Sequence, residues 1–216
     1  MKEFAVIGLG RFGSSVAHAL TQMGKSVLAI DLNEAKVQAM SDVVTHAVQA
    51  DAADPENLKE IGIRNFDVVV VSIGDDLEAS ILVTMLLKEM GVKHVIAKAG
   101  SEVHSKVLQK VGADRVVFPE WDMGTRVAHN LVASNILDYI ELSQDYTIVE
   151  LKPPRRMVNK SLGDLHLRAR HGINVVALRR NEELIVSPGA DDVIGPEDVL
   201  VVVGRNEYMR SFQEEE

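Results

Sequence analysis

Apolar positions fall into short runs separated by turn residues, and their period alternates along the first half of the chain. Phe4 to Ile7 reads as a buried strand, and a helical pattern runs from Ser14 to about Met23. Val27 to Asp31 is a second strand. Leu32 to Met40 forms a short helix with Asn33 as its cap. Thr45 to Gln49 is a third strand, and Asp54-Pro55 suits a helix start, cap then first turn. That helix, with Leu58 to Ile63, closes around Gly62. Val68 to Ile73 is continuously apolar, as in a parallel strand covered on both faces. Leu77, Ile81, Leu82, Met85, Leu86 and Met90 recur at helical spacing, the methionines as core filler. Val95 to Ala99, a helix marked by Val103, Val107, Leu108 and Val111, and the strand Arg115 to Phe118 complete the series. Six strands alternating with helices predict an α/β doubly wound parallel sheet.

From Glu120 the pattern changes. Met123, Val127, Leu131 and Val132 form one apolar helical face, and beyond Ser134-Asn135 the residues Ile136, Leu137 and Ile140 predict a second short helix. This helix–turn–helix has no further strand of the first sheet to cover. It is expected to pack on another subunit; a helix folded back on its own sheet is the alternative. Strands are predicted at Tyr146 to Leu151, Ile173 to Leu178, Leu184 to Val186 and Asp198 to Val203, with a helix from Ser161 to Arg170 and a closing helix from Glu207 to Phe212. The expected organisation is a nucleotide-binding domain over 1–121, a crossover and dimerisation segment over 122–144, and a small α+β domain over 145–216. So small a sheet favours dimerisation.

Composition narrows the function. The net charge is −9, so a nucleic-acid partner held on a basic face is not expected. There is no cysteine, which removes disulfides, thiolate metal sites and a cysteine nucleophile and fits a cytosolic protein. No basic-apolar leader precedes Phe4, and the longest apolar runs fall short of the roughly 18 residues that span a bilayer. Work at a membrane would have to go through a partner.

The chemistry gathers at the turns. Gly8, Gly10 and Gly13 have the spacing G-x-G-x-x-G between a strand and a helix. The first permits the tight turn, the second lets the backbone approach a diphosphate, and the third lets helix and sheet pack closely. The helix N-terminus adds free N–H groups and a positive dipole end. Asp31 lies about 18 residues beyond Gly13, where a carboxylate accepts both ribose hydroxyls and disfavours NADP. The carboxyl ends of the strands also carry Asp51, Ser72, Gly74 and Lys98, and Glu120 follows the last strand. Asp51 could accept from an adenine amine or lie in a solvated turn.

Arg11, inside the glycine turn, and Lys98 suggest more negative charge than a dinucleotide carries; both are otherwise ordinary surface cations. A nucleotide with a terminal phosphate fits better. Glu120 with phosphate oxygens would then suit Mg²⁺ or a similar ion.

Gly8-Leu-Gly-Arg-Phe-Gly13, Asp31, Asp51, Lys98, Pro119-Glu120, the amphipathic segment and the β-rich tail together resemble RCK proteins, the regulators of potassium conductance of the Ktr/Trk type. The resemblance covers essentially the whole chain, and includes an Ile-Arg-Asn-Phe segment at Ile63 to Phe66. It implies a Rossmann-like domain in which ATP and ADP compete, a homodimer assembling into an octameric ring, and docking on a KtrB/TrkH-like membrane potassium-transporter subunit. It implies nucleotide contacts through the turn Gly8 to Gly13, Phe12 included. Arg11 and Lys98 fall on the terminal phosphate, Asp31 on the ribose, Asp51 on the adenine side and Glu120 on a cation at the dimer interface. For the tail it implies cyclic di-AMP binding between two protomers, through Arg168, Asn174 and Val175 with Leu162, Leu167 and Pro188 against the bases. Without that implication Asn174 opens a strand and the aliphatics are core. The competing function is an NAD(H) sensor or an NAD-dependent oxidoreductase, for which the tail offers only His166 and His171 as proton-transfer groups. A non-catalytic gating subunit is the expected function.

Overall fold

A computed structural model describes residues 2–132, 136–143, 145–207 and 209. The chain divides into two compact units, Met1–Pro119 and Glu120–Glu216. The first is a six-stranded sheet built from β1 (Glu3–Ile7), β2 (Ser26–Asp31), β3 (His46–Gln49), β4 (Val68–Val71), β5 (His94–Lys98) and β6 (Arg115–Val117). Its order is β3-β2-β1-β4-β5-β6, and every neighbouring pair is parallel. The doubly wound sheet expected from the alternation is therefore present. Period-two alternation sends Ala5 and Ile7 to a core on one face and Val6 to a second core on the other. This two-sided burial is why Val68 to Val71 could be apolar without interruption.

Five helices cross between strands: α1 (Arg11–Gln22), α2 (Glu34–Met40), α3 (Pro55–Glu60), α4 (Leu77–Glu89) and α5 (Glu102–Lys110). Asn33 caps α2 by accepting from the Ala35 and Lys36 N–H groups. Asp54 caps α3 ahead of Pro55. Asp76 and Ser101 do the same for α4 and α5. One helix departs from its expected face. The buried side of α4 carries Ser80, Val83, Thr84 and Leu87, while Leu77 and Leu82 are exposed and Met85 only half-buried. Thr84 tolerates the interior because its hydroxyl donates back to the Ser80 carbonyl at 2.8 Å.

The second unit begins within α6 (Pro119–Val132) and continues as a five-stranded antiparallel sheet. The strands are β7 (Ile136–Glu141), β8 (Tyr146–Leu151), β9 (Asn174–Arg180), β10 (Glu183–Val186) and β11 (Val199–Arg205), in the order β10-β9-β11-β8-β7. The short helix expected around Ile136, Leu137 and Ile140 is instead the strand β7. Its β-branched and aromatic residues pair with β8, Tyr139 opposite Val149 and Ile140 opposite Ile148, through a bulge between Ile136 and Asp138. The turn expected at Ser134-Asn135 lies outside the described residues, as does most of the closing helix. The single helix expected from Ser161 to Arg170 is two, α7 (Leu162–Leu165) and α8 (Leu167–His171). They are separated by His166 at φ 46° and ψ 39°. Leu151, Met157, Ile173, Leu178, Leu200 and Val202 form the core. Beside it Arg180 makes a two-pronged pair with the buried Asp198, at 3.1 and 2.8 Å.

Candidate functional site

In the first unit the carboxyl ends of the strands form one edge, and the strand order reverses between β1 and β4, the place where doubly wound sheets bind ligands. Gly8 leaves β1 at φ +92°, a conformation that favours glycine. Its N–H donates to the Ile30 carbonyl at 2.8 Å, and its carbonyl accepts from Ser72 Oγ at 3.0 Å. Gly13 presses on this corner. A Cβ there would lie 1.9 Å from the Gly8 oxygen and 2.6 Å from Ser72 Oγ. Around Gly10, by contrast, a Cβ would meet nothing within 4 Å. The middle glycine therefore faces open space, where a diphosphate can approach the backbone.

The electrostatics of α1 differ from those of the other crossover helices. α2, α3, α4 and α5 each carry a glutamate in the first turn: Glu34, Glu56, Glu78 and Glu102. α1 has no acid there, and its first residue is the exposed Arg11. A cation at a helix N-terminus adds to the positive dipole end rather than offsetting it. The next residue, Phe12, is half-buried against the core that holds Val6 and Ala17.

Asp31 ends β2 nearly buried. One carboxylate oxygen accepts from the Leu9 N–H at 2.6 Å, and the other from the Asn33 N–H at 2.8 Å. The side chain thus anchors the glycine turn. Lys36 Nζ lies 3.6 Å away. Asp51 follows β3, where the Ala50 N–H donates to the Asp31 carbonyl. Its carboxylate accepts from the Ala53 N–H at 2.9 Å. Leu32, 66% exposed, offers an aliphatic surface beside Asp31. Sequence reasoning passes over Leu32 and Lys36, although both flank the fingerprint acid. Lys98 ends β5, and its Nζ comes within 3.2 Å of the position that a Gly74 Cβ would take.

Glu120 opens α6 and belongs to the second unit. Among the described residues no group of three or more histidine, aspartate or glutamate side chains gathers as a metal site. In the second unit Leu167 is buried in the core, with Leu162 and Val175 packed against it. Arg168, in the first turn of α8, and Asn174, which opens β9, are exposed on either side of Gly172, the α8 cap at φ 61°. Pro188 follows Ser187, itself at φ 55°.

The TrkA-N domain family matches residues 4–119, and the TrkA-C domain family matches residues 146–215. The chain belongs to the RCK family. Among its relatives, the Ktr system potassium uptake protein C of Bacillus subtilis is 50% identical over 203 residues, covering 94% of this chain and 92% of that one. The Ktr system potassium uptake protein A of the same organism is 45% identical over 214 residues, covering 99% and 96%. Among solved structures, the GsuK channel bound to NAD shares the fold at a TM-score of 0.66 and 16% identity, over 98% of this RCK chain and 38% of the channel chain. GsuK bound to ADP aligns at a TM-score of 0.53 and 26% identity, over 61% and 34%. The two Bacillus relatives are potassium uptake proteins, and the family is not one of enzymes. No helix among the described residues is long and apolar enough to cross a membrane.

Proposed function

We propose that this RCK chain is a cytosolic regulatory subunit that gates a membrane potassium transporter, of the KtrB/TrkH kind, by telling ATP from ADP. The observation that carries the reading is the bare N-terminus of α1, with Arg11 in place of the glutamate that opens each neighbouring crossover helix. With Lys98 on the same edge, the site concentrates positive charge beyond what a diphosphate requires. Asp31 takes the ribose, while Leu32 and Asp51 flank the adenine. Glu120 would serve as a carboxylate ligand of a cation such as Mg²⁺.

Gating needs an assembly with two states that the nucleotides favour differently. Each unit carries an exposed apolar face, and two such faces suit a ring. Trp121, Met123, Val127 and Leu131 stand exposed on α6, with Trp121 at 77% and Leu131 at 80%. Leu77, Leu82 and Val103 are exposed on α4 and α5. One isologous face closes a dimer; a second is required to join dimers into a ring such as an octamer. In this reading 122–144 is the dimerisation segment and 145–216 the regulatory domain, where Arg168, Asn174 and Pro188 would meet cyclic di-AMP.

Titration calorimetry with ATP, ADP and NADH tests the reading. Arg11→Ala should weaken ATP by about tenfold and ADP by less, as loss of one charge-assisted phosphate contact implies. Equal loss for both nucleotides would remove the phosphate-counting mechanism. NADH displacing both with higher affinity would favour the second reading, an NAD(H) sensor, which Asp31 serves equally well.

A further inference from the structure

Lys98 has a geometric difficulty. The ligand crevice of this sheet opens between β1 and β4, and Lys98 stands at the end of β5, one strand further out by about 4.8 Å. β4 and β5 run level, Val71 opposite Ala97, so the turn that leaves β4 rises between Lys98 and the crevice. The Lys98 ammonium and Cε lie 3.2 and 3.8 Å from where a Gly74 Cβ would be, in the space a side chain would fill. Backbone strain does not explain a glycine here, because Gly74 is not among the glycines with positive φ. Two residues earlier, Ser72 Oγ holds the Gly8 carbonyl. One turn therefore fixes the diphosphate corner at Ser72 and leaves a passage for the lysine at Gly74.

We propose that Gly74 is a specificity-determining positioning residue: its missing side chain lets Lys98 reach over the β4 turn to a terminal phosphate, and so sets the preference for ATP over ADP. This rests on the phosphate-counting reading above. A methyl group at Gly74 pushes the ammonium back by a few tenths of an ångström, and a branched side chain pushes it further.

The test measures ATP and ADP affinities of the whole protein for Gly74→Ala, Gly74→Val, Lys98→Met and the double variant Gly74→Val with Lys98→Met. Gly100→Ala serves as a control, since a Cβ there meets nothing within 4 Å. ATP should weaken by about threefold for alanine and about tenfold for valine, following the fall of charge attraction with distance, while ADP stays within about twofold. In the Lys98→Met background, Gly74→Val should cost nothing further. A merely structural glycine would lose ATP and ADP together, or lose affinity equally in both backgrounds, and either result overturns the proposal. If Lys98→Met lowers ATP affinity but the Gly74 series does not, the proposal fails and the phosphate reading stands. If Lys98→Met leaves the ATP-to-ADP ratio unchanged, the phosphate reading fails and takes the proposal with it.

Discussion

Gly13→Ala separates two physical effects of opposite sign. Gly13 lies in the first turn of α1, and an alanine inside a helix ordinarily gains about 1 kcal/mol over glycine. Here the added Cβ would stand 1.9 Å from the Gly8 carbonyl oxygen and 2.6 Å from Ser72 Oγ. The Gly8 backbone cannot yield freely. It is held at φ +92°, and its N–H is bonded to Ile30 in the neighbouring strand. Relief requires α1 to move outward and the Ser72–Gly8 hydrogen bond to break. Overpacking costs about 1–3 kcal/mol and the lost hydrogen bond about 1 kcal/mol more. Against the helix gain, the net is a destabilisation of roughly 2 kcal/mol, with nucleotide affinity lost as the turn opens. Urea denaturation followed by circular dichroism reads the first quantity, and calorimetry with ADP the second. Gly10→Ala is the contrast: its Cβ meets nothing within 4 Å, so stability should change little while ADP binding falls. A Gly13→Ala protein as stable as the parent, or a Gly10→Ala protein destabilised as much as Gly13→Ala, would refute this account of the turn.

Two ionisable groups predict acid sensitivity. The hydrogen bonds from Arg180 hold Asp198 below the usual carboxylate range. Its contribution is therefore complete above the unfolded value of 3.8 and lost as pH falls below it. Asp198→Ala should lower second-unit stability at neutral pH, because Arg180 and the Gly195 N–H lose their shared carboxylate partner, and should flatten the acid limb of the stability curve. Burial pushes the His104 imidazole below its ordinary value of 6.5. The unfolded chain then takes up a proton that the folded chain refuses, and stability declines as pH falls from about 6.5. His104→Gln should remove that decline in pH-dependent denaturation, and an unchanged slope would exclude His104 as its source. On α6, Val127→Asp places a charge on the exposed apolar face and should turn dimers into monomers in sedimentation velocity; an unchanged oligomer would acquit that face.

The first unit is legible because its signals are local. Asn33 and Asp54-Pro55 announce helix starts within four residues, and Val68 to Val71 carries its own two-sided burial. β7 is not legible in this way. Ile136, Leu137 and Ile140 satisfy helical spacing as readily as strand alternation, and pairing with β8 decides between them. The face of α4 misleads for a related reason. Ser80 and Thr84 look solvent-facing until a helical carbonyl is found to accept the threonine hydroxyl. At the site, the glycines and Asp31 announce themselves by spacing. The clamp from Ser72 to Gly8 spans 64 residues, and only the fold brings the two together. His166 gives no sign in the sequence that it breaks a helix, since a left-handed histidine is a choice made by its surroundings.

The bare first turn of α1 has a thermodynamic consequence for how such a sensor must work. A helix end with no acid and an arginine is an unfavourable charge arrangement until an anion arrives, so the ligand acts as a stabilising part of the fold. At a free ligand concentration of 100 times Kd, binding adds about 2.7 kcal/mol to stability. A nucleotide present far above its dissociation constant would keep the site filled at nearly all times. Such a site cannot report whether nucleotide is present. It can report only the exchange of one for another, and its output would follow the ratio of the two rather than the amount of either.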